Sequence, residues 1–120
     1  MAIKDVIVVS VPVSDQDRAK EFYVDKLGFE LRQDQSMPGL RWVMVGPKGG
    51  GTSLTLVTWF ESMPPGSLQG LVLTCDDLQA EYESLVAKGV RFDGPPQRRP
   101  WATEAVVHDP DGNSLVLQQA

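Results

Sequence analysis

Val11-Pro12-Val13-Ser14-Asp15 opens, and Ser53-Leu54-Thr55-Leu56 closes, a stretch that returns in weakened form at residues 72–117. Displaced by 61, nine positions carry the same residue: Val11/Val72, Asp15/Asp76, Ala19/Ala80, Gly28/Gly89, Val45/Val106, Gly51/Gly112, Ser53/Ser114, Leu54/Leu115 and Leu56/Leu117. Ordinary residue frequencies give roughly three identities by chance over such a length. The matches also fall on corresponding signals of strand, helix start, helix end, turn and strand. Two copies are too few for a solenoid, which needs at least three stacked units. The echo reads as a doubled half-domain about a pseudo-twofold axis, able to build a cleft between its halves.

Each copy has the same grammar. In the first, the β-branched run Val6-Ile7-Val8-Val9 predicts a buried strand over Lys4–Pro12. Ser14 or Asp15 caps a helix whose apolar face is Ala19, Phe22, Tyr23 and Leu27, and Gly28 ends it. Strands follow near Phe29–Asp34, Leu40–Val45 and Ser53–Trp59, the last two joined by a glycine-rich turn. After a proline-containing connection the grammar restarts with a strand at Leu71–Thr74. Asp76 or Asp77 caps a second helix, striped by Leu78, Tyr82, Leu85 and Val86, which Gly89 ends. Strands at Val90–Phe92, Thr103–His108 and Ser114–Gln118 complete the copy, with Asp109-Pro110-Asp111-Gly112-Asn113 as a turn. The expectation is an α+β fold of two βαβββ modules in a single domain, 1–120. Module one covers about residues 1–60, a linker about 60–69 and module two about 70–120.

Composition excludes several function classes. Eleven basic against sixteen acidic residues leave a net charge of −5, the wrong sign for a nucleic-acid footprint. The single cysteine, Cys75, cannot form an intrachain disulfide and suits a reducing compartment. No apolar run approaches membrane-spanning length, and Met1–Asp5 lacks the pattern of a signal peptide. A cytoplasmic location and no membrane partner are expected.

Strand alternation sorts the faces. Leu54 and Leu56 share one side of their strand; Ser53, Thr55, Val57 and Trp59 share the other. The second copy repeats this, with Leu115 and Leu117 opposed to Ser114, Val116 and Gln118. The leucine sides suit packing under the helices. The mixed sides suit a pocket lining.

Taken in order, Val11-Pro12-Val13-Ser14-Asp15, Phe22-Tyr23 and Leu27-Gly28-Phe29 resemble the first half of the vicinal oxygen chelate superfamily. Cys75-Asp76-Asp77-Leu78, Gly89-Val90 and Asp109-Pro110-Asp111-Gly112-Asn113 are similar to its second half. That superfamily includes glyoxalase I, bleomycin-resistance proteins and extradiol dioxygenases. The resemblance implies two βαβββ modules whose mixed sheets curve around a shared cavity. It also implies positions for the metal ligands of the metal-dependent members: Val8, Thr55, Gly70 (or Leu71 with a register error of one) and Val116. A divalent ion needs imidazole, carboxylate or thiolate, and none of these residues supplies one. No metal and no cofactor are therefore expected.

Other candidates remain. Glu104 lies on the same strand face as His108, so that His108 as general base, oriented by Glu104, is one reading. A metal cluster of His108, Asp109 and Asp111 is the weaker reading, because aspartates in such a turn bond their own backbone. Cys75 lacks a histidine partner and reads as packing. Trp59 should point into the cavity beside Thr55, with Trp42 and Trp101 further along the walls. Together with Val57, Gln118, Val8 and Val116 they form the expected ligand-binding set.

Three functions compete. The first is a metal-free protein that binds, and sequesters, a drug-like or aromatic small molecule. The resemblance implies that it works as a homodimer with clefts shared between chains. The second is a metal-independent lyase or isomerase using His108 with Glu104. The third, a metal-dependent glyoxalase or dioxygenase, is disfavoured by the missing ligands.

Overall fold

The computed structural model describes residues 2–120. Its first module contains β1 (Val8–Pro12), α1 (Gln16–Glu21), β2 (Glu30–Met37), β3 (Leu40–Gly46) and β4 (Ser53–Val57). The second contains β5 (Leu71–Cys75), α2 (Leu78–Ala87), β6 (Arg91–Phe92), β7 (Gln97–Arg98), β8 (Thr103–His108) and β9 (Ser114–Gln119). The strand orders are β1-β4-β3-β2 and β5-β9-β8-β6, with β7 also on β8. In each sheet the first strand runs parallel to the last and the remaining pairs are antiparallel. This is the expected α+β class with two mixed sheets.

The apolar runs become strands where a partner exists. Val6 and Ile7 do not join β1 and stay 66% and 69% exposed. Val8 pairs with Ser53, the first residue of β4, so earlier residues have no strand alongside them. The helices begin at aspartates. Asp15 accepts from the backbone N–H of Asp17 and Arg18, at 2.9 and 3.1 Å, and Asp77 from that of Ala80 at 3.1 Å. Such caps contribute about 1 kcal/mol each.

The 61-residue echo turns out to be a mosaic of two displacements. The capping residues Asp15 and Asp77 lie 62 apart, whereas Gly28 and Gly89, which end the helices, lie 61 apart. The difference is a π-helical turn over Phe22–Lys26, where Phe29 N–H reaches back six residues to Tyr23 O; in module two Val90 N–H reaches back five, to Leu85 O. A second shift lies in the hairpins. Val45 pairs with Leu54 and Val107 with Leu115, so the spatial counterpart of Val45 is Val107, not Val106. Asp15/Asp76 and Val45/Val106 are therefore identities of the string and not of the fold.

Both sheets turn one face into a single core. Val9, Val11, Val43, Val45, Leu54 and Leu56 of the first meet Leu73, Ala105, Val107, Leu115 and Leu117 of the second around Phe22 and Tyr23 of the π turn that follows α1. The opposite faces lie outside this core: Val8, Ser10, Trp42, Met44 and Thr55 on one sheet, Val72, Glu104, Val106, Val116 and Gln118 on the other.

A buried polar cluster joins the modules. Asp109 accepts four hydrogen bonds: from Asp111 N–H and Asn113 N–H on Oδ1, and from Tyr23 Oη–H and Asn113 Nδ2 on Oδ2, at 2.8–2.9 Å. Asn113 also donates to Pro12 O at 2.8 Å and accepts from Leu68 N–H at 3.0 Å. Tyr23 and Asn113 are fully buried. Burial, and then the Asp109 carboxylate, hold the Tyr23 phenol well above its ordinary pKa. The folded protein thus keeps this proton where the unfolded chain loses it. The associated stability is complete below about pH 10 and declines as pH rises beyond it. Replacing Tyr23→Phe is expected to cost about 1.5–3 kcal/mol in urea unfolding at neutral pH, and to flatten the alkaline decline.

Candidate functional site

On the outer face of the first sheet, Trp42 of β3 stacks with Trp59, ring centroids 6.2 Å apart and planes 23° from parallel. Phe60 continues the row, 6.0 Å from Trp59 and tilted by 51°. Trp42 reaches the outer face because Met44, two residues on, pairs with Thr55. Trp59 lies past the end of β4, where the chain leaves the sheet for the linker. A cavity of about 300 Å³ opens there between Val57, Trp59, Phe60 and Met63. Apolar aromatic surface at this spacing offers a flat molecule both area and stacking.

The polar floor behaves differently from the sequence-based expectation. Thr55 is 0% exposed and underlies the wall, and Val57, 1% exposed, reaches only the bottom of the cavity beside Trp59. Thr55 Oγ1 has no hydrogen-bond partner among the described residues. Val8, Val116 and Gln118 are half-buried on the outer faces, as is Trp42.

The second sheet carries a separate cluster. Glu104 accepts from Trp101 Nε1 at 2.8 Å and from Gln118 Nε2 at 3.5 Å. Trp101 is thereby anchored by its indole N–H while 70% of the residue stays exposed. Three of the expected site residues, Trp101, Glu104 and Gln118, are brought together here. Trp42 and Trp59 are brought together on the other sheet. Because both sheets give their opposite faces to the common core, the two clusters face outward from the chain.

Glu104 does not orient His108. Four residues along a strand span about 13 Å, and the Glu104 carboxylate is engaged by Trp101 and Gln118. His108 Nε2 instead meets Asp93 Oδ1 at 2.6 Å, and its Nδ1 is buried without a partner. The paired nitrogen is occupied and the other is enclosed, a poor arrangement for a general base. Asp109 is saturated by the four bonds of the module junction, so it is not free to join His108 and Asp111 around a metal. Among the described residues no group of three or more His, Cys, Asp or Glu side chains converges.

The positions that the resemblance implies for metal ligands hold Val8, Gly70 (or Leu71), Val116 and Thr55, whose hydroxyl is enclosed. This donor set does not fit a divalent ion. Burial, then Glu81, Asp76 and Asp77, push the Cys75 thiol above its ordinary pKa, which keeps it protonated and unreactive.

The model of the Glyoxalase/Bleomycin resistance protein/Dioxygenase superfamily matches residues 6–117. The chain belongs to this superfamily. Among solved structures it is similar to TnmS3, an antibiotic binding protein from Streptomyces sp. CB03234. The two are 52% identical with a TM-score of 0.94, covering 99% of this chain and 98% of that one. A glyoxalase/bleomycin resistance protein from the same organism is 50% identical with a TM-score of 0.87, covering 96% of this chain and all of the other. The uncharacterized protein YetH of Bacillus subtilis (strain 168) is 37% identical over 121 residues, 98% of this chain and 99% of YetH.

Sequence reasoning missed Phe60, Asp93 and the half-buried Ser10 and Met44. Strand alternation placed Thr55 and Val57 on the correct face but carried no signal for their depth. The Trp42–Trp59 stack is expected to give an exciton couplet in circular dichroism. Trp42→Phe should abolish it, and Trp101→Phe should leave it intact.

Proposed function

We propose that this protein binds a small molecule with a flat, largely apolar body, of the antibiotic or aromatic-metabolite kind, on the Trp42–Trp59 wall. The stacked indoles are the observation that carries the reading. A polarizable, half-buried platform of this size recognises π-faces through area and dispersion. The likeness to an antibiotic binding protein at 52% identity supports the same class of ligand. Holding a ligand without converting it agrees with the side chains present: no divalent donor set, a protonated thiol and a histidine with no open nitrogen. Neither a metal nor another cofactor enters this reading. The net charge of −5 favours ligands that carry a cationic group.

A homodimer belongs to the proposal. Each chain presents two outer walls that face away from each other, and an enclosed ligand needs two walls. In a pair of chains the Trp42–Trp59 wall of one copy faces the Trp101–Glu104–Gln118 wall of its partner. A cytoplasmic location suits the single Cys75.

Titration with a panel of planar antibiotics and aromatic metabolites is expected to quench tryptophan fluorescence saturably, and EDTA should leave the affinity unchanged. Trp59→Ala should weaken binding by about tenfold or more while the far-ultraviolet spectrum is retained. Sedimentation should give the mass of two chains. Silence across the panel, or undiminished binding by Trp59→Ala, counts against the proposal.

A further inference from the structure

The two strands behind the aromatic wall are only partly joined. Among the described residues β3 and β4 pair at Met44/Thr55 and Val45/Leu54 alone, although β3 reaches back to Leu40 and β4 on to Val57. A closed ladder would continue through Val43/Leu56 and Trp42/Val57. Trp42 and Trp59 therefore stack across the stretch where the ladder has stopped.

The backbone carbonyls show what takes its place. Val57 O accepts from Val13 N–H on the β1 side, and backbone groups alternate sides along a strand. Leu56 O, one residue earlier, thus points toward β3, where a closed ladder would offer Val43 N–H. It accepts from Gln16 Nε2 at 2.8 Å, and Arg41 O on β3 accepts from the same nitrogen at 2.8 Å. A primary amide carries two N–H groups, so both bonds are made at once. Gln16 is the first residue of α1 and lies half-buried on the core side. One neutral side chain bridges the two strands where their own pairing ends.

Arg41 immediately precedes Trp42, and α1 holds it twice. Besides the bond from Gln16 to its carbonyl, its guanidinium donates to Asp17 at 2.8 Å. It also donates to both oxygens of Asp34, at 2.9 and 3.0 Å, and Lys20 meets that carboxylate at 2.9 Å. The Asp17 side chain is 77% exposed, so its ion pair is weak and screened by salt. The bridge from Gln16 is neutral and does not share that weakness.

We propose that Gln16 is the positioning residue of the aromatic wall. By tying Arg41 O to Leu56 O it fixes the separation of the strands that carry Trp42 and lead to Trp59, and so the geometry of their stack. Without the bridge the ladder either closes at Val43/Leu56 or opens further, and both shift one indole against the other. The consequence for ligand affinity rests on the function proposed above; the consequence for the stack does not.

Gln16→Met keeps the length of the side chain and removes both donors. The Trp42–Trp59 exciton couplet of the intact protein should fall to less than half, with cooperative urea unfolding retained. Kd for a planar ligand that quenches the wild-type protein should rise about tenfold or more. Gln16→Glu, which presents acceptors to the two carbonyls, should act in the same direction and serves if the methionine variant does not fold. Asp77→Ala removes the cap of α2 and destabilises the fold by about 1 kcal/mol, yet should leave couplet and affinity unchanged. About 1 M NaCl should also leave the wild-type couplet unchanged. An undiminished couplet in the Gln16 variants overturns the inference, as does an equal loss in Asp77→Ala. So does loss of the wild-type couplet in salt, which would assign the positioning to the ion pairs, or an unchanged ligand affinity once the couplet is gone. If no planar ligand binds the wild-type protein, the aromatic-site reading fails alone, and the couplet still decides for or against Gln16.

Discussion

The carboxylate of Asp109 is the point on which the arrangement of the two modules depends. Its four hydrogen bonds close the turn between β8 and β9 and, through Tyr23, tie that turn to the first helix. Asn113 extends the tie to Pro12 at the end of β1 and to the linker at Leu68. A carboxylate buried to this degree is tolerable only because all its acceptor positions are filled. The π turn, one residue longer than its counterpart, accompanies this junction and carries Tyr23. With one face of each sheet packed into the common core, the other face is committed to the outside. The aromatic wall is exposed to ligands for that reason.

Pseudo-symmetry is broken where chemistry differs. The pairing Glu30/Gly46 in module one matches Arg91/His108 in module two. In the first place the Arg32 guanidinium donates to the carbonyls of Pro47, Gly50 and Thr52, and a Cβ on Gly46 would lie 2.5 Å from it. In the second, His108 fills the end of the sheet and leans on Asp93. One strand end is thus sealed by a saturated guanidinium. The other holds a histidine whose Nδ1 is buried without a partner among the described residues.

Much of this was legible in the residues. Periodicity, capping aspartates and terminating glycines marked the helices, because these are local rules that need no knowledge of neighbours. Period-two alternation sorted Leu54 and Leu56 from Thr55 and Val57 correctly. It could not separate the exposed part of a wall from its floor, since depth depends on what neighbouring strands lay across it. The string also misled. Asp15/Asp76 and Val45/Val106 match as letters, while hydrogen bonding pairs Asp15 with Asp77 and Val45 with Val107 as equivalents. Single-residue differences in a helix and a hairpin shift the frame twice and conceal themselves in a constant offset. His108 and Glu104 were likewise matched by face alone, and their separation along the strand sent each to a different partner.

By itself the sequence determined the duplicated α+β architecture and the superfamily. Those follow from residue identity and from short-range periodicity. Tertiary structure alone decided that Trp42 meets Trp59, that Trp101, Glu104 and Gln118 form a second cluster, and that His108 leans on Asp93. It also decided that the walls face outward from one chain. These are contacts across strands and modules, fixed by register and by a few buried hydrogen bonds. Neither leaves a periodic trace in the order of residues.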